Sequence, residues 1–565
     1  MKKKIKIIGG VAGGASVAAR VRRLDEFAEI TMFERGPHVS FSNCALPFHL
    51  SGIIENSDDL VLMHPEQFSK QYNIEAKVNH EVIAINKEEK TISVKNTLTN
   101  EISKEAYDVL VMSPGAKPIR PQSIVGINSE HVFSVRNVPD IAKIQAYIDN
   151  NNIDDVVVVG GGFIGLEVME NLRHAGKKVT LVEAAKQVMM PLDEDMAQVV
   201  HREIHDKGVE LILEDSVVEI TDSTVVLSSG KTINSKLVIM AIGVQPETDL
   251  AQAANLEIGK TGAIKVNQNY QTSDPSIYAV GDAIEVYHKI LRKQTRLSMA
   301  GPAQRQARAA ADHIYGRNVV SRGVIGSSVL QVFDYAVATT GINETQALEA
   351  AIDYRQVYII PNDKVGLMPD AEKLFFKLIF EYPTGVILGA QAIGKGNADK
   401  RIDIIATMIS QGGTIHELAD LELAYSPTYS TAKDVTNMAA LVGLNILNGE
   451  YKQVAVSEVR ELVENNAYII DVREEDEFAE GHLINAVNIP LSQFRDRLNE
   501  IPKDKAIYLH CRSGQRSYNM VRALNQRGYS EVYNISGSYL GISNYEYFKD
   551  QVTNRNKIVT EYNFN

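Results

Sequence analysis

The same order of segments occurs twice along the chain: a short apolar strand, a glycine-rich turn, a helix and a second strand that ends at a glutamate. In the first copy the opening strand is at residues 4–8 and the glutamate is Glu34. In the second copy the strand is at residues 155–159 and the glutamate is Glu183. A strand that runs through a glycine turn into a helix builds a parallel βαβ unit. Two such units predict an α/β fold with two Rossmann-like domains.

Each glycine turn is a candidate dinucleotide site. Such a turn lets the backbone approach a pyrophosphate, and the acidic residue about 20 positions on binds the ribose. The second turn matches the pattern G-x-G-x-x-G in full, whereas the first reads GGVAGG, with a valine at the second glycine position, so a turn without ligand is its alternative. The predicted cofactor-binding residues are Gly9, Gly10, Val11, Ala12, Gly13, Gly14 and Glu34 in the first unit and Gly160, Gly162, Gly165 and Glu183 in the second.

Composition excludes several classes of protein. With 565 residues the chain should form several domains. Its formal net charge of −13 disfavours a nucleic-acid or anionic-membrane partner. Only two cysteines occur, Cys44 and Cys511, which excludes a disulfide framework and zinc sites of three or four cysteines, and we predict no metal. Unpaired cysteines and the lack of a long apolar run favour a soluble cytoplasmic protein.

The succession GGVAGG, SPGA, GGGFIGLE, AIGVQPET and IYAVGD resembles the two-dinucleotide flavoprotein disulfide reductases over residues 1–445. The resemblance implies FAD in the first unit, NAD(P)H in the second, and a hydrogen bond from the flavin ribitol to Asp282. A carboxylate at Glu183 favours NADH, with NADPH as the alternative because Lys186 is near in sequence. Further cofactor-binding candidates are Arg35, Ser42, Gly115 and Gly243.

The resemblance also implies a domain plan and a homodimer. The FAD domain would comprise residues 1–118 and 247–324, and the NAD(P)H domain residues 119–246. An α+β dimerisation domain would follow at 325–445.

Cys44 has no cysteine near it in sequence, so it cannot belong to a C-x-x-C redox pair. Its oxidised form must be a sulfenic acid or a mixed disulfide with a small thiol. The segment SFSNCALPFHLSG resembles that of the coenzyme A disulfide reductases, whose single cysteine forms a mixed disulfide with coenzyme A. The resemblance implies that Ser40, Phe41 and Asn43 line this site; a buried, inert cysteine is the alternative.

Two further groups are candidates for contacts with the substrate. The string AYSPTYS replaces the His–Glu dyad of the glutathione-type enzymes and carries Tyr425 and Tyr429, where the coenzyme A reductases have tyrosines. Such a phenol could protonate a thiolate, or both rings could pack at the dimer interface. Arg20 and Arg22 could hold the phosphates of coenzyme A, or lie at a solvated helix end.

The region 454–553 resembles a rhodanese. The loop CRSGQR follows a strand and opens a helix, which aims N–H groups at the sulfur of Cys511, and Arg512 and Arg516 add positive charge. The resemblance implies that Cys511 carries sulfane sulfur as a persulfide. A phosphatase and an inactive regulatory domain are the alternatives.

Three functions follow from these features. The first is a flavin-dependent reductase of coenzyme A persulfide, polysulfide or disulfide, in which Cys511 supplies sulfur to Cys44 or to a coenzyme A thiol. The second is an NADH oxidase or peroxidase that cycles through a sulfenic acid at Cys44. The third is a non-catalytic redox sensor or scaffold.

Overall fold

The computed structural model describes residues 2–319 and 321–564. Its strands, numbered in chain order, are β1 (Lys4–Ile8), β2 (Glu29–Glu34), β3 (Glu75–Val78), β4 (His80–Asn86), β5 (Thr91–Asn96), β6 (Ile102–Ala106), β7 (Val109–Met112), β8 (Ala116–Pro118), β9 (Val132–Phe133), β10 (Asp155–Val159), β11 (Lys178–Val182), β12 (Glu210–Ile212), β13 (Val217–Ile220), β14 (Thr224–Leu227), β15 (Thr232–Asn234), β16 (Val238–Met240), β17 (Val244–Pro246), β18 (Ile277–Ala279), β19 (Val286–His288), β20 (Lys293–Thr295), β21 (Ser328–Val332), β22 (Tyr335–Gly341), β23 (Tyr354–Ile359), β24 (Leu374–Glu381), β25 (Ile387–Gly394), β26 (Lys452–Val454), β27 (Tyr468–Asp471), β28 (Val487–Asn488), β29 (Ile507–His510) and β30 (Val532–Ile535).

The helices are α1 (Ala12–Leu24), α2 (Pro47–Leu50), α3 (Pro65–Tyr72), α4 (Val138–Asn151), α5 (Phe163–His174), α6 (Glu194–Asp206), α7 (Asp249–Ala253), α8 (Ala300–Ile314), α9 (Glu344–Glu349), α10 (Ala398–Gln411), α11 (Ile415–Asp420), α12 (Val435–Leu447), α13 (Val459–Glu464), α14 (Glu475–Glu480), α15 (Gln515–Asn525) and α16 (Ser538–Thr553). Strands and helices alternate over much of the chain, so the predicted α/β fold class is confirmed.

Residues Met1–Ala184 and Asp215–Val324 form one compact unit, which contains two parallel sheets. The first has the strand order β18-β7-β1-β2-β3, and α1 and α8 pack together beside it. The second contains β11-β10-β16-β9. In each sheet the glycine turn follows the central strand, β1 or β10, which is buried apart from its first residue. Both glycine turns therefore lie at the carboxyl ends of their sheets, where α/β proteins bind ligands.

The second unit comprises Ala185–Glu214 and Ile325–Asn565. Its antiparallel sheet has the order β21-β22-β25-β24-β23, and its parallel sheet has the order β26-β30-β29-β27-β28. The segment Ala185–Glu214 was predicted as part of the NAD(P)H domain at 119–246, and the structure groups it instead with this unit. The reason is the packing of α6 against α16.

The α6–α16 contact combines buried rings with ion pairs. His201 is buried against the ring of Phe548, with ring centroids 5.2 Å apart. Glu194 accepts from Lys549 at 2.6 Å, and the guanidinium of Arg202 donates to the side-chain oxygen of Asn544 at 2.6 Å. The contact therefore fixes the C-terminal parallel-sheet domain to a segment that enters from the first half of the chain.

The C-terminal domain is larger than the predicted range 454–553. Strand β26 begins at Lys452, shortly after α12 ends at Leu447, and pairs with β30. After α16 the chain returns to the same domain, where Ile558 and Val559 are buried and the hydroxyl of Tyr539 donates to the carbonyl of Glu561. Short apolar pairs after a helix give too weak a pattern for this return to be predicted.

A buried lysine ties α6 to the antiparallel sheet. Lys377 on β24 is 1% exposed and donates to Asp195 at 2.8 and 2.9 Å and to Glu344 at 2.7 Å, and its nitrogen lies 3.2 Å from Asp193. Burial opposes the charge of Lys377, but the three carboxylates together raise its pKa well above the ordinary value. Gln391 on β25 adds a hydrogen bond to Asp193 at 2.7 Å.

We predict that Lys377→Met lowers the free energy of unfolding by about 3–5 kcal/mol, because it leaves buried carboxylates without a counter-charge. The measurement is denaturant unfolding of the purified protein at neutral pH. The control is Lys395→Met, which removes a 41% exposed lysine 3.8 Å from Glu372 and should cost less than about 1 kcal/mol. Equal losses of unfolding free energy in the two variants would contradict a structural role for Lys377 and its three carboxylates.

Candidate functional site

The first glycine turn is closed by contacts that exclude any side chain. Gly9 has a φ of +91°, and a Cβ atom there would lie 2.1 Å from the carbonyl oxygen of Ser113. At Gly14 a Cβ atom would lie 1.8 Å from the carbonyl oxygen of Gly9, so α1 approaches β1 as closely as backbones permit. No side chain caps the N-terminus of α1, which leaves its first N–H groups directed out of the turn.

A cavity of about 480 Å³ lies beside this turn, within the first unit. It gathers many of the predicted residues: Gly9, Val11, Ala12, Gly13, Glu34, Arg35, Phe41, Asn43, Gly115 and Asp282. Other lining residues gave no sequence signal, among them His38, Arg136 and Asn137, whereas Ser113 and Glu247 belong to the SPGA and AIGVQPET motifs. They come from distant segments that only the fold brings together.

The polar groups of this cavity fit a dinucleotide. Glu34 ends β2 and accepts from the N–H of Gly10 at 3.0 Å, so its carboxylate is held at the turn. Arg35 is engaged by both carboxylate oxygens of Glu247. The side-chain oxygen of Asn43 is buried and accepts no hydrogen bond from the described residues, as expected of a group that awaits a ligand. Burial raises the pKa of Asp282, which the charge of Arg136 partly offsets.

Four predicted cofactor residues do not line the cavity and act through the backbone instead. Gly10 donates to Glu34, and Gly14 packs under the turn. The N–H of Ser42 donates to the carbonyl of Leu60 at 2.9 Å. Gly243, with a φ of +118°, accepts through its carbonyl from the N–H of Ile119 at 3.0 Å. Ser40, a predicted substrate residue, is likewise outside the lining.

The second glycine turn repeats the geometry of the first. Gly160 has a φ of +109°, and a Cβ atom on Gly165 would lie 1.8 Å from the carbonyl oxygen of Gly160. A Cβ atom on Gly162 would meet nothing within 4 Å, so this face of the turn is open. Glu183 follows β11 and accepts from the N–H of Gly161 at 2.6 Å. The turn therefore has both the close backbone approach and the acidic residue that a dinucleotide site needs.

Cys44 lies in the short 3₁₀ turn Asn43–Ala45, directly before α2. The residue is exposed, which removes the alternative of a buried, inert cysteine. Atoms around the sulfur desolvate its thiolate, and the charges of Glu167 and Asp282 act in the same direction, so all three raise the pKa of Cys44.

Glu167 is a residue that sequence analysis missed. It lies on α5, against which α2 packs, and a hydrogen bond from Ser51 to Asn171 at 2.7 Å joins the two segments. Burial raises the pKa of Glu167 to about 7. Its position in the helix after a nucleotide turn carried no signal, because only the α2–α5 packing places it in the electrostatic environment of Cys44.

The two arginines of α1 predicted to bind phosphates both make contacts within the chain. Arg22 is 7% exposed and donates to five backbone carbonyls, those of Tyr72, Asp25, Glu26, Ala28 and Asn73. Arg20 donates through two nitrogens to one carboxylate oxygen of Asp312, which offsets its charge. Both side chains therefore fix α1 to its surroundings.

Tyr425 and Tyr429 lie in an irregular segment of the second unit and are 50% and 67% exposed. A small turn orders the segment, since the N–H of Tyr429 donates to the carbonyl of Ser426 at 2.9 Å. The nearby hydroxyl of Ser430 is buried and donates to the carbonyl of Ala424. Two rings on an ordered, exposed segment are available to a second molecule.

Cys511 lies at the end of β29 and is 1% exposed. Its sulfur accepts from the N–H of Gly514 at 3.1 Å and from the hydroxyl of Ser517 at 3.6 Å. The φ of +108° at Gly514 turns the loop into α15. The predicted positive charge at Arg516 is offset, because both of its terminal nitrogens bind Glu477, at 2.5 and 2.7 Å. Arg512 lies in the same loop. Burial lowers the pKa of Lys373, and the charge of Arg512 lowers it further.

Family models match three stretches of the chain. Residues 3–307 match the pyridine nucleotide-disulphide oxidoreductases, residues 328–436 match the dimerisation domain of the same proteins, and residues 455–545 match the rhodanese-like domain. The first match covers more than half of the chain. The chain belongs to the pyridine nucleotide-disulphide oxidoreductase family.

Similar proteins confirm the family assignment over 77% to 96% of the chain. The coenzyme A disulfide reductase of Staphylococcus haemolyticus is 34% identical over 77% of this chain and 98% of its own length. The crystal structure of reduced Bacillus anthracis CoADR-RHD shares 47% identity, covers 96% of this chain and 98% of its own, and has a TM-score of 0.94. The structure of an NAD-dependent persulfide reductase from A. fulgidus shares 34% identity and has a TM-score of 0.91. The match covers 95% of this chain and 99% of that one.

The resemblance drawn from the sequence is therefore confirmed. The protein is a flavin-dependent pyridine nucleotide-disulphide oxidoreductase with a rhodanese-like domain, and its family uses FAD and a nicotinamide nucleotide. Among the described residues, no helix is long and apolar enough to span a membrane.

We predict that Glu167→Gln lowers the pKa of Cys44, because it removes a negative charge that disfavours the thiolate. The measurement is the pH titration of Cys44 alkylation in a Cys511→Ser background. The control is Asp154→Asn, which removes an 88% exposed carboxylate elsewhere in the first unit and should leave the titration unchanged. Coincident titrations for Glu167→Gln and the parent would contradict the assignment.

Proposed function

We propose that this chain uses NAD(P)H to reduce coenzyme A persulfide, coenzyme A polysulfide or coenzyme A disulfide at Cys44, and that Cys511 supplies sulfane sulfur. The observation that carries the proposal is the position of Cys44. This exposed single cysteine directly follows Asn43, which lines the cavity of the first glycine turn. Similarity over nearly the full chain to a persulfide reductase that includes the C-terminal region supports the sulfur chemistry.

The cofactors are assigned to the two turns by their surroundings. The first turn would hold FAD, because its cavity runs from the uncapped helix α1 to Asp282 and to Asn43 beside the cysteine. The second would hold the nicotinamide nucleotide at Gly160, Gly162 and Gly165. Glu183 favours NADH, since its carboxylate would repel the 2′-phosphate of NADPH. When bound, the flavin accepts a hydride equivalent from the nicotinamide and passes two electrons to sulfur.

The residues then act on sulfur in a balanced cycle. The Cys44 thiolate attacks the inner sulfur of a coenzyme A persulfide, breaks its S–S bond and releases hydrosulfide. The product is a mixed disulfide between Cys44 and coenzyme A. Two electrons from NAD(P)H break this bond and leave a Cys44 thiolate and a coenzyme A thiol. With coenzyme A disulfide the first leaving group is a coenzyme A thiolate instead.

Protons reach these thiolates from groups of the chain. A raised pKa favours the Cys44 thiol over the thiolate, so Cys44 must lose a proton to attack sulfur and regains one after reduction. Glu167, with a pKa of about 7, can accept and return that proton at neutral pH. Tyr425 and Tyr429 would donate to the departing coenzyme A thiolate. No phosphate contact is assigned to Arg20 or Arg22.

Cys511 would load coenzyme A with sulfur. A donor transfers sulfane sulfur to the Cys511 thiolate, which becomes a persulfide, and a coenzyme A thiolate then attacks its outer sulfur and restores the thiolate. The loop supports this role through the hydrogen bonds from Gly514 and Ser517 to the sulfur. Thiols that must remain reduced fit a cytoplasmic enzyme.

We predict that Cys44→Ser abolishes reduction of both coenzyme A persulfide and coenzyme A disulfide. Cys511→Ser should leave both reductions intact and abolish only hydrosulfide release that starts from an external sulfane donor and coenzyme A. The measurements are NADH consumption and hydrosulfide release with each substrate. If Cys44→Ser instead retains these activities but loses rapid peroxide consumption, the oxidase or peroxidase alternative replaces the proposal. A purified protein that NADH does not bleach would favour the non-catalytic alternative.

The dimerisation-domain match supports a homodimer in which the AYSPTYS segment completes the partner's site. We predict that a hybrid dimer of Cys44→Ser and Tyr425→Phe regains up to half of the wild-type activity, because one of its two sites has both native residues. Each variant should be nearly inactive as a homodimer. The measurement is activity after mixing differently tagged subunits, with sedimentation to establish the dimer. A monomer, or a hybrid as inactive as its parents, would contradict the shared site.

A further inference from the structure

The ion pair between Glu477 and Arg516 controls the charge beside Cys511. Glu477 lies on α14 and Arg516 on α15, and the two carboxylate oxygens bind the two terminal nitrogens of the guanidinium at 2.5 and 2.7 Å. This two-point geometry is the strongest form of the Arg–carboxylate contact. The side chain of Arg516 is 33% exposed and that of Glu477 is 29% exposed, so water does not fully screen the pair.

Arg516 interacts with both this carboxylate and Cys511. The loop that holds Cys511 turns at Gly514 and enters α15, which places Arg516 in the first turn of that helix. Its pKa is raised chiefly by the hydrogen bond to Glu477, against the effect of burial, and Cys511 contributes as well through its charge and a hydrogen bond. The carboxylate of Glu477 therefore competes for the guanidinium of Arg516 with the Cys511 sulfur or a ligand bound there.

We propose that Glu477 is a specificity residue that makes Cys511 prefer thiol persulfides over sulfur donors that carry an oxyanion next to the transferred sulfur. Thiosulfate is the simplest such oxyanion donor. The inference rests on the proposed role of Cys511 in sulfane transfer.

The chemistry of the two donor classes explains the selection. With thiosulfate the Cys511 thiolate attacks the outer sulfur, the S–S bond breaks, and sulfite leaves with both electrons of that bond, so charge is conserved. The sulfonate oxygens of the donor and the sulfite that departs both require a cation beside the loop. With a thiol persulfide the leaving group is a thiolate whose only charge is on sulfur, which the N–H of Gly514 and the loop can bind. Because Glu477 occupies the fork of Arg516, the oxyanion donor loses one of the two loop cations, and Arg512 remains.

The test uses a Cys44→Ser background, in which Cys511 is the only thiol. The change is Glu477→Gln, and the first readout is the ratio of Cys511 alkylation rates by iodoacetate and iodoacetamide, reagents of similar size that differ in charge. This ratio does not depend on any sulfur transfer. We expect it to rise about tenfold, the effect of freeing one charge-assisted contact. The second readout is kcat/KM for transfer of sulfur from thiosulfate to cyanide, which should rise by a similar factor relative to transfer from glutathione persulfide.

Two variants control for other effects of the substitution. Glu480→Gln removes a carboxylate that is exposed on the same helix and should leave both readouts unchanged. Glu477→Gln combined with Arg516→Gln should lose the gain in both, because the freed cation is gone. Circular dichroism of each variant establishes that the domain has folded.

An unchanged alkylation ratio in folded Glu477→Gln, or an equal rise in Glu480→Gln, would overturn the inference. A raised ratio in a protein whose Cys511 takes sulfur from neither donor would overturn the proposed sulfurtransferase function while it supports the electrostatic role of Glu477.

Discussion

The close approach of helix to strand at the two glycine turns is the contact on which the first unit depends. Gly14 lies against the carbonyl of Gly9, and Gly165 against that of Gly160, at separations that no Cβ atom could occupy. Each contact sets where the helix N-terminus lies relative to the end of its central strand. The cavity beside the first turn and the open face at Gly162 follow from that placement. A methyl group at either inner glycine would push the helix away and remove the anion-binding end with it.

Cations in this acidic chain are mostly committed to intramolecular partners. Arg22 is held by carbonyls, Lys377 by three carboxylates and Arg516 by one. The surroundings of these cations differ. Lys377 is buried in the interior, whereas Arg516 keeps a third of its side chain in contact with solvent and lies on the helix that follows the Cys511 loop.

Sequence patterns predicted the parts of this protein that local geometry determines. Strands β1 and β10 were placed to the residue, because each is an apolar run that ends at a glycine turn. The family and the rhodanese-like domain were also predictable, since their glycines and cysteines occur at fixed spacings.

Properties that depend on packing between distant segments were not predictable. The sequence of α1 gives no sign that carbonyls as far away as Tyr72 and Asn73 surround Arg22. Nothing near Cys44 or Cys511 in sequence points to Glu167 or Glu477, which lie more than 30 residues away. Glu167 raises the pKa of Cys44 from a separate helix, and Glu477 binds an arginine that follows the Cys511 loop; only the tertiary fold shows these contacts.

The packing of α6 against α16 makes the C-terminal domain an integral part of the second unit rather than a detachable module. Helix α16 supplies the ring contacts of His201 and His205 and one polar partner each for Glu194 and Arg202. A gene cut after the dimerisation domain would leave this side of α6 bare, with an apolar ring surface exposed and Arg202 deprived of Asn544. We therefore expect a chain without this domain to be less soluble than the full chain, because an apolar patch would become exposed.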